Sequence, residues 1–133
     1  MIKAIIIDDE PLARSIVAEY ISSLKHFEVV AECGDGFQGL KAIHEHKPDL
    51  IFLDVQMPKI NGFEMLELLE HKPDVIFTTA FDDYAIKAFD SSAIDYLLKP
   101  FSRDRFMKAV NKWEQWRQNK PALEGDFSNL EQP

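Results

Sequence analysis

The chain has 133 residues, which fits one domain, and apolar residues make up 46% and charged residues 29% of it. That composition is ordinary for a globular domain and argues against disorder and against a membrane protein. Its 15 Lys and Arg against 23 Asp and Glu give a formal charge of -8, which opposes the phosphate attraction behind most nonspecific DNA affinity. We therefore expect no nucleic acid binding by this part alone.

The start of the chain and its cysteine content bear on location. No apolar run approaches the ~20 residues of a bilayer span, and residues 1–5 enter a strand pattern at once instead of a signal peptide. We therefore expect a cytoplasmic protein. The single cysteine, Cys33, cannot form an internal disulfide and is interpreted as a packed core thiol, with a reactive thiol as the alternative.

Apolar stretches of strand length alternate with stretches of helical periodicity, and this alternation predicts βαβ units around a parallel sheet. The first and third predicted strands are continuously apolar, as expected for strands covered on both faces, whereas Asp95 interrupts the fifth and indicates a sheet edge. The predicted strands span residues 3–8, 27–32, 50–54, 75–79 and 93–98.

The stretches between these strands each carry one apolar stripe, so each predicted helix can cover a face of the sheet. Two Lys-Pro-Asp tripeptides, at 47–49 and 72–74, are expected to end helices, because proline disfavours helix in the residue before it. The stripe is predicted at Leu12, Ile16, Tyr20 and Leu24 in the first helix, and at Phe106, Val110 and Trp113 in the last.

Residues 1–117 are predicted to form the domain, and residues 118–133 a linker or tail. The helical periodicity fades from Gln118 into a polar segment that contains Pro121 and Gly125. A linker of this kind suggests the front part of a longer protein, although a tail on a complete single-domain protein is the alternative.

Acidic, hydroxyl and basic residues follow the predicted strands at the points where they end. In an open α/β sheet, functional groups gather at the carboxyl ends of the strands. If the strands are parallel neighbours, three carboxylates, a hydroxyl and an ammonium converge on one edge. The residues concerned are Asp8 and Asp9 after the first strand, Asp54 after the third, Thr79 after the fourth and Lys99 after the fifth.

Such a cluster suits metal-assisted phosphoryl transfer. Carboxylates ~4 Å apart repel one another by ~4 kcal/mol at an effective dielectric of about 20, and Mg²⁺, which prefers hard oxygen ligands, would offset this. A carboxylate can attack phosphorus while a metal and an ammonium hold the charge on the phosphoryl oxygens. Asp54 is the predicted nucleophile, since it stands alone after the central strand.

Each of these residues also has an alternative interpretation without chemistry. Asp9 would cap the first helix before Pro11, Asp54 and Thr79 would be ordinary strand-end residues, and Lys99 would be a solvated lysine. The functional interpretation therefore depends on the joint arrangement.

The motifs together resemble the receiver domains of two-component response regulators, over about residues 1–117. The matching motifs are Asp8-Asp9, Asp54-Val55-Gln56-Met57-Pro58, Thr79-Ala80 and Lys99-Pro100. The resemblance implies a flavodoxin-like, doubly wound parallel sheet of five strands in the order 2-1-3-4-5, with helices on both faces. It also implies Mg²⁺ held by Asp9, Asp54 and the backbone carbonyl of Gln56, with Asp8 acting mainly through a water.

The same resemblance implies a signalling role. A sensor histidine kinase would donate the phosphoryl group to Asp54, the domain would catalyse its own acceptance, and no ATP site is expected. Thr79 and Lys99 would contact the phosphoryl oxygens, and Tyr96 matches the aromatic switch position. Phosphorylation would alter the surface of the fourth helix, fifth strand and fifth helix, where a homodimer or partner contact would be favoured.

Residues 81–89 and 93–100 are similar to receivers of the LytR/AlgR type, whose output is a LytTR DNA-binding module. DNA binding and transcription control are therefore expected only through a C-terminal domain absent from this chain. Gln56 and Phe81 occupy places where the family tunes the phosphoryl lifetime, and a bulky Phe81 is hypothesised to restrict water.

Three rival functions share parts of this pattern. A Mg²⁺-dependent phosphatase with an aspartyl nucleophile resembles Asp-x-Asp, but the chain has Gln56 where the second acid would stand, and an amide cannot protonate a leaving group. A flavodoxin-like cofactor binder needs a phosphate-binding loop where this chain has Asp8 and Asp9. A pseudo-receiver would lack part of the acidic set.

Overall fold

The structure is a computed structural model that describes residues 1–119, without the side chains of residues 86 and 89. Its centre is a five-stranded sheet in which all neighbouring strands are parallel, in the order β2-β1-β3-β4-β5. The predicted fold class and strand order are confirmed, and the predicted strands agree with the observed ones to within two residues. The strands are β1 (Ile2–Ile7), β2 (Phe27–Cys33), β3 (Leu50–Leu53), β4 (Asp74–Thr79) and β5 (Asp95–Leu98).

Helices cover both faces of this sheet, as predicted, because alternate side chains of the strands point to opposite sides. Ile5 and Ile7 of β1 belong to one buried cluster, and Ala4 and Ile6 belong to the other. A short 3-10 helix, Asp82–Tyr84, precedes the fourth helix. The α-helices are α1 (Pro11–Ser22), α2 (Gly36–His46), α3 (Gly62–Glu67), α4 (Ala85–Asp90) and α5 (Arg103–Asn119).

The apolar stripe predicted for the first helix is wrong at Leu12 and Ile16, whereas Tyr20 and Leu24 pack against a buried core cluster, as predicted. Leu12 is 72% exposed and Ile16 is 38% exposed, whereas Val17 and Ile21 are the buried residues of α1. Both sets repeat at helical spacing, so periodicity alone does not distinguish them. The orientation of α1 on the sheet determines which of the two sets is buried, and it leaves Leu12 and Ile16 exposed.

The stripe predicted for the last helix is confirmed, since Phe106, Val110 and Trp113 of α5 are all buried. The indole N–H of Trp113 donates to Asp74 Oδ2 at 2.8 Å, which satisfies the polar atom of a buried ring. The helix continues through Asn119, so residues 118 and 119 of the predicted linker are helical, and the rest of the predicted linker, residues 120–133, lies outside the described residues.

The predicted edge position of the fifth strand is confirmed. Asp95 lies at the start of β5 and forms a two-pronged ion pair with the guanidinium of Arg105, at 2.9 and 3.0 Å. Burial works against ionisation of this carboxyl, but the bond from Arg105 and the backbone N–H of Tyr96 hold its pKa below the ordinary value.

Cys33 at the end of β2 is buried, in agreement with its interpretation as a core thiol. Burial, with a smaller contribution from the Asp35 charge, raises its pKa to about 11, so the thiol stays protonated at neutral pH. Within residues 1–119, no helix has the length and apolar character needed to cross a membrane.

Candidate functional site

Asp54 directly follows the central strand β3 and is buried. Its backbone N–H donates to the carbonyl of Ile7 at 2.9 Å, which continues the parallel pairing of β1 and β3 past the end of both strands. Asp8, directly after β1, is held in the same way by a 3.0 Å bond from its N–H to the carbonyl of Cys33. The sheet therefore places two buried carboxylates side by side at its carboxyl edge.

Asp9 completes a group of three carboxylates with Asp8 and Asp54. One oxygen from each of the three lies within 4.8 Å of the others, and Asp9 is the exposed member. Oxygen ligands of this kind and number fit Mg²⁺, which usually binds through one or two carboxylates and keeps several waters. The predicted convergence of the strand-end acids is therefore observed.

Lys99 follows β5 and reaches into the same cluster. Its Nζ lies 2.8 Å from Asp8 Oδ2, 3.1 Å from Glu10 Oε1 and 3.4 Å from Asp54 Oδ2. A single ammonium thus binds three carboxylates, and its side chain is mostly buried. The alternative interpretation of Lys99 as a solvated lysine is excluded by these contacts.

The charges of the site strongly perturb its two central groups. Burial, followed by the negative charge of Asp8, raises the pKa of Asp54 to about 7, and Lys99 only partly counteracts this. Burial works against the charged form of Lys99, but its bond to Asp8 and the charge of Asp54 raise its pKa above the ordinary value. Lys99 therefore remains a cation, and the carboxylates hold more negative charge than it neutralises.

Asp9 does not cap the first helix. The residue at the cap position of α1 is Glu10, and its side chain makes no capping bond. The backbone N–H of Glu10 instead donates to Asp8 Oδ1 at 2.9 Å. The Asp9 carboxylate is therefore not used as a helix cap, which removes the alternative interpretation of this residue.

Thr79 ends β4 and is completely buried. Its hydroxyl oxygen accepts a 3.3 Å bond from the N–H of Phe81, so the hydroxyl is tied to the loop that follows the strand. Tyr96 lies on the neighbouring strand β5, half-buried, and its hydroxyl donates to the carbonyl of Phe81. The two predicted switch residues therefore both bind the backbone of Phe81, Thr79 at its N–H and Tyr96 at its carbonyl.

Gln56 lies two positions after Asp54 in the exposed loop between β3 and α3. Its side-chain Nε2 donates to the hydroxyl of Tyr84 at 2.9 Å. The family resemblance identified Gln56, but it gave no functional role to Tyr84. No local sequence signal joins these two residues, because 28 positions separate them.

Gly62 is a second residue whose role was missed. A Cβ atom built at this position would lie 2.6 Å from the backbone oxygen of Asp54 and 3.3 Å from Cα of Val55. The absence of a side chain lets the start of α3 approach the backbone that carries Asp54. The preceding residue, Asn61, caps α3 in a reciprocal capping box with Glu64.

The arrangement has the elements of acyl phosphate chemistry. The carboxylate of Asp54 can act as a nucleophile, Lys99 places a positive charge 3.4 Å away, and the neighbouring acids offer oxygen atoms that can bind a cation. The buried hydroxyl of Thr79 lies at the end of the adjacent strand β4.

Comparisons with known proteins agree with this geometry. Residues 4–111 match the family described as Response regulator receiver domain. Over 119 residues the chain is 46% identical to the transcriptional regulatory protein BtsR of Escherichia coli (strain K12). This match covers 88% of this chain and 50% of that protein. It is 44% identical over 135 residues to an uncharacterized response regulatory protein of Vibrio cholerae, covering all of this chain and 55% of the relative.

Solved structures show the same fold. The response regulatory domain of the protein mrkE from Klebsiella pneumoniae aligns with a TM-score of 0.80 and 34% identity, covering 89% of this chain and all of that domain. The receiver domain of AraT, a response regulator from Geobacillus stearothermophilus, aligns with a TM-score of 0.78 and 30% identity. It covers 89% of this chain and 97% of that structure. The chain spans about half the length of the curated relatives it matches. It belongs to the response regulator receiver domain family.

Proposed function

We propose that this chain is a phosphorylation switch in which Asp54 accepts a phosphoryl group from a phosphohistidine of a sensor histidine kinase. The observation that carries the proposal is the position of Asp54. It is buried at the end of the central strand, 3.4 Å from the ammonium of Lys99 and grouped with the carboxylates of Asp8 and Asp9. In the transfer, an Asp54 oxygen forms a bond to phosphorus while the phosphorus–nitrogen bond of the donor breaks.

Mg²⁺ would be held by Asp9, Asp54 and the backbone carbonyl of Gln56, with Asp8 acting mainly through a water. The observed group of carboxylate oxygens supports this set. When bound, the ion supplies positive charge that neutralises the phosphoryl oxygens. Lys99 would supply a second positive charge beside Asp54, and Thr79 would supply a hydroxyl donor once its loop shifts toward the phosphoryl group.

A protein donor has an apolar surface available beside the site. Leu12 and Ile16 of α1 are exposed and line one depression together with Pro100, and this depression extends to Asp8 and Lys99. An apolar face that adjoins the phosphoryl acceptor would orient a kinase domain so that its phosphohistidine reaches Asp54. A small phosphodonor does not need this surface.

The output would be a change in the surface formed by α4, β5 and α5, driven by Thr79 and Tyr96 and favouring a homodimer. Control of transcription would follow through a C-terminal DNA-binding domain of LytTR type. The greater length of the relatives and the description of one as a transcriptional regulatory protein support a role in transcription control. The protein would act in the cytoplasm and would catalyse only its own phosphorylation and dephosphorylation.

The principal rival function is a phosphatase that uses Asp54 as a transient nucleophile. Such an enzyme needs an acid two residues further along to protonate the leaving group. Gln56 occupies that place, and its amide is engaged with Tyr84. A cofactor binder of similar fold would need to place a phosphate against Asp8 and Asp9, which repel it without a cation.

Incubation with acetyl phosphate and Mg²⁺, followed by intact mass measurement, tests the proposal. The wild type should gain the mass of one phosphoryl group, and Asp54→Asn should gain none. A chelator in place of Mg²⁺ should slow the gain strongly. Unmodified protein after incubation would contradict the proposal. Continuous hydrolysis of unrelated phosphomonoesters would instead support the phosphatase.

A further inference from the structure

The geometry points to Tyr84 as a positioning residue that sets the lifetime of the phosphoryl group, by holding the side chain of Gln56 at the edge of the acidic site. This inference rests on the proposed function, since it concerns hydrolysis of the group on Asp54. Tyr84 lies five residues after Thr79, at the end of the short 3-10 helix. Its hydroxyl acts through Gln56.

The bond between Gln56 and Tyr84 crosses from one loop to another. Gln56 lies in the loop after β3, and Tyr84 ends the 3-10 helix after β4. Both line one shallow depression with Asp9, the exposed carboxylate of the acidic group. The bond therefore joins two loops that border the exposed side of the acidic group, next to Asp9.

The ring of Tyr84 is held independently of its hydroxyl. It packs against Phe63 of α3, with the ring centroids 6.0 Å apart, and edge-on against Phe81 at 6.2 Å. Phe81 in turn accepts the bond from the Tyr96 hydroxyl. Removal of the Tyr84 hydroxyl alone should leave this packing in place, while it releases the Gln56 amide.

Hydrolysis requires a water to reach phosphorus from the solvent side. The water oxygen forms a bond to phosphorus, the bond between phosphorus and the Asp54 oxygen breaks, and inorganic phosphate and one proton leave. A side chain fixed beside this approach restricts the water, whereas a freely rotating one does not. Loss of the single neutral hydrogen bond between Tyr84 and Gln56 should change the hydrolysis rate by roughly threefold to tenfold.

The test is a double-mutant cycle on the decay of the phosphorylated chain. Wild type, Tyr84→Phe, Gln56→Ala and the double variant are phosphorylated with acetyl phosphate, freed of the donor, and followed by intact mass in Mg²⁺. Gln56→Ala keeps the backbone carbonyl assigned to the metal. Tyr20→Phe, whose ring packs against Phe106 on the other face of the sheet, controls for loss of a tyrosine hydroxyl.

Tyr84→Phe should lose its phosphoryl group roughly threefold to tenfold faster than the wild type, and Tyr20→Phe should match the wild type. In the Gln56→Ala background, Tyr84→Phe should change the rate by less than about twofold, because the two residues act through one bond. Decay of Tyr84→Phe at the wild-type rate would overturn the inference, and so would an equal acceleration in both backgrounds. A wild type that takes up no phosphoryl group would overturn the proposed function itself.

Discussion

The ammonium of Lys99 lies 2.8 Å from Oδ2 of Asp8, closer than it lies to the predicted acceptor Asp54. Lys99 is thus bound to a carboxylate that the proposed reaction does not modify. A phosphoryl group on Asp54 would bring three acceptor oxygens within reach of the same ammonium, which has three donors to share. The proposed switch therefore begins as an exchange of partners by Lys99.

Replacement of Lys99 by alanine should slow phosphorylation from acetyl phosphate. The variant loses the fixed charge beside Asp54, and loss of one such stabilising group lowers rates by roughly 10-fold to 1,000-fold. The rate of mass gain in Mg²⁺ measures the effect. Lys72→Ala, at the opposite edge of the sheet before β4, should react like the wild type. Equal rates for Lys99→Ala and the wild type would contradict the role of Lys99.

Asp54→Asn should stabilise the fold at neutral pH in the absence of Mg²⁺. The pKa of Asp54 is about 7 in the folded chain, because of burial and the Asp8 charge. In the unfolded chain the pKa of an aspartate is ~3.9. Since the folded value is the higher one, the carboxylate destabilises the fold progressively as pH rises from the unfolded value to about 7, and by a constant amount above that.

Urea unfolding in chelator should therefore show Asp54→Asn to be more stable than the wild type by about 1 to 4 kcal/mol at pH above 7. The difference should shrink as the pH falls toward ~4 and vanish below that value, where the wild-type carboxyl is protonated in both states. Mg²⁺ should also reduce this difference in stability, because a bound cation offsets the repulsion among the crowded carboxylates. Asp90→Asn, at an exposed position at the end of α4, serves as the control. A stability difference that does not depend on pH would show that the surroundings do not destabilise the ionised form of Asp54.

Gly62→Ala should destabilise the chain by about 1 to 3 kcal/mol, because the new Cβ would lie 2.6 Å from the backbone oxygen of Asp54. The nearby Leu53 side chain, at 3.2 Å, leaves little room for a shift. Chemical denaturation measures the loss. Gly34→Ala is the matched control, since its Cβ would meet only side-chain atoms at 3.5 Å or more, and its effect should stay within about 0.5 kcal/mol. Equal effects of the two substitutions would count against the close approach.

Leu12→Glu should impair phosphorylation by a cognate kinase and leave phosphorylation by acetyl phosphate unchanged. Leu12 is 72% exposed on the face that adjoins Asp8 and Lys99, so a charge there would disrupt an apolar protein contact without unfolding the chain. Loss of one buried leucine contact corresponds to roughly a 10-fold or larger slowing. Leu68→Glu, at a position 61% exposed after α3, is the control and should behave like the wild type. Equal slowing with both donors would place the defect in the acidic site.

Much of the fold and of the site could be predicted from the sequence. Continuous apolar runs of strand length such as β3 are typical of strands covered on both faces, and the strands were predicted to within two residues. Their parallel order places Asp8, Asp54 and Lys99 at one edge, because the same ends of parallel strands meet. The contact of Gln56 with Tyr84 could not be found in this way, since it depends on how two loops leave the sheet.

The sequence by itself determined the sheet, the helices on both faces and the acids after the strands, because periodicity and chain order are local properties. Only the tertiary structure decided which face of α1 is buried. Val17 and Ile21 pack against the sheet, and Leu12 and Ile16 remain exposed, although all four are apolar and share helical spacing. The physical reason is that the orientation of a helix on the sheet determines which of its residues are buried. That orientation depends on contacts with side chains that are distant in sequence.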